Sequence, residues 1–134
     1  MPNDIMRREA ERLRKLADTC EQEADYSTTR KLLKLVIEID EGDIGLPHST
    51  MATDFFNLGA ACIKLNYLQE GKRYLRSALE LRLSFLDSTD PLVLDTANLL
   101  LSIDDTVSDQ SASQSVPVVH EVMKNRNYGT VDRS

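Results

Sequence analysis

The chain has 134 residues, of which 41% are hydrophobic, with five Gly, four Pro, no Trp and a formal net charge of −6. These values predict one mostly helical domain with enough apolar side chains for a core. The acidic balance argues against nucleic acid as a partner, because nucleic-acid sites need clustered positive charge.

Two predicted helices open the chain. Apolar residues recur at helical spacing over residues 3–24 and again over residues 28–40. Ser27 lies in the polar break between them and is the predicted N-cap of the second helix. Gly42 and Pro47 then predict a loop.

A second pair of helices is predicted over residues 52–85. Asn66 and Tyr67 interrupt the apolar pattern and indicate a tight turn. Gly59 and Gly71 place small residues where the two helices would cross, which lets their backbones approach closely. A helical Gly costs roughly 1 kcal/mol, so we expect these two to serve packing.

The fifth predicted helix spans residues 91–103 and is almost wholly apolar. Asp90 before Pro91 is a typical helix start, with a cap residue followed by proline at the first helical position. From residue 104 the chain is rich in Asp, Ser and Gln. We therefore predict a helical domain over residues 1–103 and a flexible tail over residues 104–134.

The sequence matches itself when it is shifted by 42 residues. The matched interior pairs are Leu13 with Phe55, Leu16 with Leu58, Cys20 with Cys62, Thr29 with Gly71, Leu33 with Leu75 and Val36 with Ala78. The same shift places Phe55 on Ala97, which begins a third unit. A fixed period of this length indicates stacked helical units.

The second unit carries a family resemblance. The spacing of Phe55, Leu58-Gly59, Gly71, Leu75 and Ala78 resembles the tetratricopeptide repeat signature, and the 42-residue length resembles its kinesin light chain type. The resemblance is strong over residues 48–101, weak over residues 4–47 and absent beyond residue 104. It implies a right-handed α-α superhelix of about 2.5 repeats and five helices.

The resemblance also implies a function. In the family, the first helices of the repeats line a concave groove that holds an extended peptide, Asn residues contact the peptide backbone, and basic residues contact acidic ones. Carried over by register, the peptide-binding candidates are Arg14, Lys15, Phe56, Asn57, Lys64 and Asn98. The alternatives are that the two Asn residues pack between repeats or are merely exposed, and that the basic residues are ordinary surface charge.

Helix 91–103 supports a second hypothesis. One side of this apolar helix must cover the second unit, and Leu92, Leu99 and Ile103 are the candidates for a side that stays exposed. An exposed apolar patch indicates a protein contact. The chain could therefore be a structural subunit that homodimerises or assembles through this helix.

No residue pattern predicts an enzyme, a metal or a cofactor. Cys20 and Cys62 share one register position and are expected to be buried fillers, and two Cys are too few for a disulfide framework. His48 and His120 lack metal-ligand spacing, and no phosphate loop or hydrolase motif occurs. We expect a non-enzymatic adaptor for a peptide or protein, with no nucleic-acid or membrane partner.

The expected location is the cytoplasm. The N-terminus has no apolar run of signal-peptide type, and no segment approaches the roughly 18 apolar residues of a membrane span. Residues 1–16 are rich in Arg, which leaves a mitochondrial transit peptide as the alternative. Asp4, Glu9 and Glu11 argue against it, because such peptides are poor in acidic residues.

Overall fold

The computed structural model describes residues 2–103, and its five α-helices confirm the predicted all-α class for this part of the chain. The helices are α1 (Pro2–Gln22), α2 (Tyr26–Glu41), α3 (His48–Lys64), α4 (Leu68–Leu83) and α5 (Pro91–Leu101). None of the helices within residues 2–103 is long and apolar enough to cross a membrane. The predicted flexible tail, residues 104–134, lies outside the described residues.

Helices α1 and α2 form one hairpin and α3 and α4 form a second, and their turns have the same backbone geometry. Ala24 in the first turn and Asn66 in the second are the only described non-glycine residues with positive φ, at 61° and 65°. The N–H of the next residue donates at 2.8 Å to the carbonyl oxygen of Cys20 in the first turn and of Cys62 in the second. This pattern is the Schellman motif, which ends a helix through one left-handed residue.

The helix starts follow the sequence in part. The side chain of Asp90 accepts a hydrogen bond from the N–H of Leu92 at 2.9 Å, with proline as the first residue of α5, as predicted. The prediction of Ser27 as the cap of α2 is wrong, because α2 begins at Tyr26. Asp25 caps it instead, through a 3.2 Å hydrogen bond from the N–H of Thr28.

The main core lies where the second hairpin packs against α2. Its buried residues are Ala17, Leu33, Ile37, Met51, Ala52, Phe55, Leu58, Cys62, Tyr74, Ala78 and Leu81. The rings of Phe55 and Tyr74 stack with centroids 6.2 Å apart. This cluster draws on the first helix of the chain and on both hairpins, so it joins the two units.

Helices α3 and α4 cross at the two glycines, as predicted. A Cβ atom on Gly59 would lie 2.8 Å from Cγ of Leu75, and one on Gly71 would lie 3.1 Å from the carbonyl oxygen of Gly59. Both distances are too short for a side chain to enter without a shift of its neighbours. Close packing of the two helices therefore favours glycine at both positions.

The 42-residue register does not extend to burial at every position. Leu58 is fully buried, whereas its partner in the first unit, Leu16, is 43% exposed. Leu58 lies between its own hairpin and α2, but no described helix covers the side of α1 that carries Leu16. Equivalent sequence positions therefore have different surroundings in the two units.

Candidate functional site

Helices α1 and α3, the first helices of the two hairpins, line a cleft of about 180 Å³. The buried α2 residues Thr29 and Leu33 also line it. Three of the six predicted groove residues, Arg14, Lys15 and Asn57, lie on this cleft. Arg14 and Lys15 lie on α1 and Asn57 lies on α3, and both helices contribute residues to the buried core.

The other three groove candidates do not line this cleft. The ring of Phe56 lies beneath the guanidinium group of Arg82, whose central carbon is 4.8 Å from the ring centroid. The ammonium group of Lys64 lies 5.9 Å from the ring centroid of Tyr26. Asn98 is exposed on α5. The structure thus divides the predicted groove into one cleft and three separate positions.

Arg14 is held by two buried carboxyl groups. Its Nη2 atom donates to Oδ1 of Asp40 at 2.8 Å and to Oδ2 of Asp54 at 3.0 Å, and its Nε atom donates to Oδ1 of Asp54 at 3.0 Å. Asp40 is 1% exposed and Asp54 is 2% exposed. Arg14 therefore ties α1 to both α2 and α3, a structural role that neither sequence-based interpretation included.

The environment of Asp40 is unusual for a carboxyl group. Burial raises the pKa of Asp40 to about 8; the hydrogen bond and charge of Asp54 add to the rise, and Arg14 opposes it. The second oxygen of Asp40, Oδ2, is buried without a donor. Sequence reasoning missed this group because Asp40 and Asp54 lie 26 and 40 residues from Arg14 and belong to no motif.

The remaining charges on the cleft are mostly acidic. Asp18 and Glu21 of α1 are exposed on its rim, and neither forms an ion pair within residues 2–103. Lys15 is the one exposed basic residue that lines it, since Arg14 is only partly exposed and is balanced by its own carboxyl partners. A ligand in the cleft would therefore meet a surface that favours positive charge.

The cysteines have no catalytic setting. Burial raises the pKa of the Cys62 thiol, and burial also raises the pKa of the partly exposed Cys20. A raised pKa reduces the thiolate fraction and with it the nucleophilicity of sulfur. Within residues 2–103, no three His, Cys, Asp or Glu side chains are grouped to hold a metal ion.

The predicted assembly face of α5 is only partly exposed. Leu92 is 47% exposed, Leu99 is partly buried, and Ile103 is 8% exposed, so Ile103 belongs to the interior. Ile103 lies two residues beyond the end of α5 at Leu101. Sequence reasoning missed Leu94 and Leu101, which are 47% and 81% exposed.

No protein-family model matches this sequence, and a search of curated proteins finds no matching relative. The resemblance to tetratricopeptide repeats, including the kinesin light chain type, therefore stays a prediction.

Proposed function

We propose that this protein is a non-enzymatic, tetratricopeptide-like adaptor that binds a peptide segment of a partner protein in the cleft between α1 and α3. The supporting observation is that Arg14, Lys15 and Asn57, from two helices of adjacent units, line one cleft. The amide of Asn57 offers both a donor and an acceptor, which suits a peptide backbone. The proposed location is the cytoplasm, and the proposed mode of action needs no cofactor.

The size and charge of the cleft define the ligand more closely. A volume of about 180 Å³ is smaller than the roughly 300–1,000 Å³ of typical small-molecule pockets, so it suits an anchoring side chain of a peptide. Asp18 and Glu21 on the rim attract Lys or Arg in that peptide. This charge preference is opposite to the one that the family resemblance implies.

A display experiment tests the proposal. Random peptides selected on the full chain are expected to be enriched in Lys and Arg. The substitution Asn57→Ala is expected to lower the affinity for the selected peptides about tenfold, because roughly one net hydrogen bond is lost. Asn98→Ala is the matched control, since Asn98 is exposed on α5 and lies away from the cleft. Fluorescence anisotropy measures both. Equal affinities for the three proteins, with circular dichroism unchanged, would refute the cleft as the binding site.

A second candidate function is supported by the apolar surface of the fifth helix. We propose as the alternative that the chain is a structural subunit that self-associates through Leu92, Leu94 and Leu101, which are all at least 47% exposed. Sedimentation at tens of micromolar would then show a dimer that Leu94→Glu dissociates. Leu16→Glu is the control, because Leu16 is similarly exposed on α1. A monomeric wild-type chain would exclude this function.

A further inference from the structure

The Arg14 cluster contains more acidic groups than its single cation can balance. Arg14 faces the carboxyl groups of Asp40 and Asp54, both of which are buried. If both carboxyl groups were ionised, the buried cluster would carry a net negative charge. Buried charge that is not balanced is costly, and carboxyl groups in this situation commonly retain a proton.

The hydrogen bonds indicate where that proton lies. Asp54 accepts three hydrogen bonds from Arg14, whereas Asp40 accepts one, on Oδ1. Oδ2 of Asp40 is buried with no donor. The two carboxyl groups are neighbours, because the same Nη2 atom of Arg14 donates to Asp40 at 2.8 Å and to Asp54 at 3.0 Å. A proton on Oδ2 would be donated to Asp54, and it would satisfy the atom that otherwise has no partner.

We infer that at neutral pH Asp40 is a carboxylic acid whose proton is donated to Asp54, so that this proton links α2 to α3 while Arg14 links α1 to both. The proton requires no ligand in the cleft, and the inference is independent of the proposed function. It makes the packing of the first two units sensitive to pH, through a site that also forms part of the cleft wall.

The other charged groups around Asp40 do not supply a second cation to the buried cluster of Arg14, Asp40 and Asp54. On α1, Glu11 pairs with Arg14 at 3.2 Å, but the side chain of Glu11 is 64% exposed and is therefore solvated. Arg7 also lies nearby, and its Nη2 atom donates to Asp43 at 2.9 Å. Asp54 is the charged group that faces Asp40 from α3.

The raised pKa of Asp40 determines how the stability of the folded state changes with pH. The pKa of Asp40 is raised to about 8 in the folded state, against about 3.9 for an Asp in an unfolded chain. Between these values the folded state binds more protons, so this group makes the folded state less stable as pH rises. The loss approaches tenfold in the folding equilibrium constant for each pH unit, and it levels off above about pH 8.

The variant Asp40→Asn tests the inference. An Asn amide has the shape of the protonated acid, since its N–H can donate to Asp54 while its oxygen accepts from Arg14. Urea unfolding of the full chain, followed by circular dichroism, gives the folding equilibrium constant at each pH. We expect the ratio of the constants, variant over wild type, to rise by up to tenfold per pH unit between about pH 5 and 8.

A control and a second measurement complete the test. Asp18→Asn removes an exposed carboxylate from the same face, and its ratio to wild type should stay flat over this range. A flat ratio for Asp40→Asn would overturn the inference, because it would mean that Asp40 is already ionised at pH 5. If the variant does not fold, the ¹³Cγ shift of Asp40 in the wild-type protein decides the matter by NMR: a midpoint near 8 supports the shared proton, and one near 4 refutes it.

Discussion

Two joints connect the three units, one between the first and second units and one between the second and third. They occupy the same register positions but differ in the charge and polarity of the side chains that form them. The three equivalent positions hold Arg14, Asp40 and Asp54 in the first joint and Phe56, Arg82 and Thr96 in the second. In the first joint a cation on α1 faces two acidic groups. In the second joint the cation lies on α4, where the first unit has its acid, and an aromatic ring replaces the arginine.

The second joint stabilises its cation without a carboxylate. Arg82 is 4% exposed and forms no ion pair within the described residues. Its Nη1 atom donates to Oγ1 of Thr96 at 2.7 Å and to the carbonyl oxygen of Leu92 at 3.3 Å, and the guanidinium group stacks on Phe56. Burial lowers the pKa of Arg82, while the charges of two more distant Asp residues oppose that change.

Backbone geometry and side-chain chemistry therefore vary separately between the two hairpins. The turns of the two hairpins have nearly the same φ values and hydrogen bonds, although the joints differ in charge. The first joint depends on the contacts of Arg14 with two buried carboxyl groups. The second depends on polar and aromatic contacts to one cation, and it can lose that cation without leaving another buried charge alone.

The two joints should respond most differently when their arginines are replaced by methionine. Arg14→Met leaves the carboxyl group of Asp54 buried without its cation, so we expect the free energy of unfolding to fall by about 3 kcal/mol. Arg82→Met should change it by less than about 1 kcal/mol, because the hydroxyl of Thr96 still donates to the carbonyl of Leu92 at 2.6 Å and the thioether can pack on Phe56. Urea unfolding measures both changes.

Lys15→Met is the control for the pair of variants. Lys15 is exposed beside Arg14, and surface substitutions of this kind usually change stability by no more than about 0.5 kcal/mol. Equal losses for the two arginine variants would contradict the proposed difference between the joints. They would mean that the contacts of Arg82 contribute as much as the ion pairs of Arg14.

Local signals in the sequence were sufficient for much of the fold. The glycines at 59 and 71 predicted the close helix crossing, and Asp90 before a proline predicted the start of α5, because each of these features depends on a few neighbouring residues. The cap of α2 was misplaced by two residues, since Asp25 and Ser27 are both good cap residues. Periodicity alone does not choose between them.

The site was less predictable because it depends on contacts between distant residues. The register placed Lys15 and Asn57 at equivalent positions of the two units, and both line one cleft. It gave no sign that Arg14 would pair with two buried carboxyl groups. One signal was available in the sequence: Asp40 and Arg82 are charged residues at equivalent positions of otherwise apolar helix faces. Burial of Ile103 and exposure of Leu94 depend on how α5 packs on α4, which its nearly uniform apolar sequence does not specify.

The smallest expected effect concerns the two turns, where the backbones agree and the residues differ. Ala24 and Asn66 both have positive φ and exposed side chains. Asn tolerates this conformation better than Ala, and Gly adopts it without steric cost. We expect Ala24→Gly to raise the free energy of unfolding by about 1 kcal/mol and Asn66→Gly by less than half as much. Thermal or urea unfolding measures the difference, and a larger gain at Asn66 would show that the two turns are not equivalent in solution.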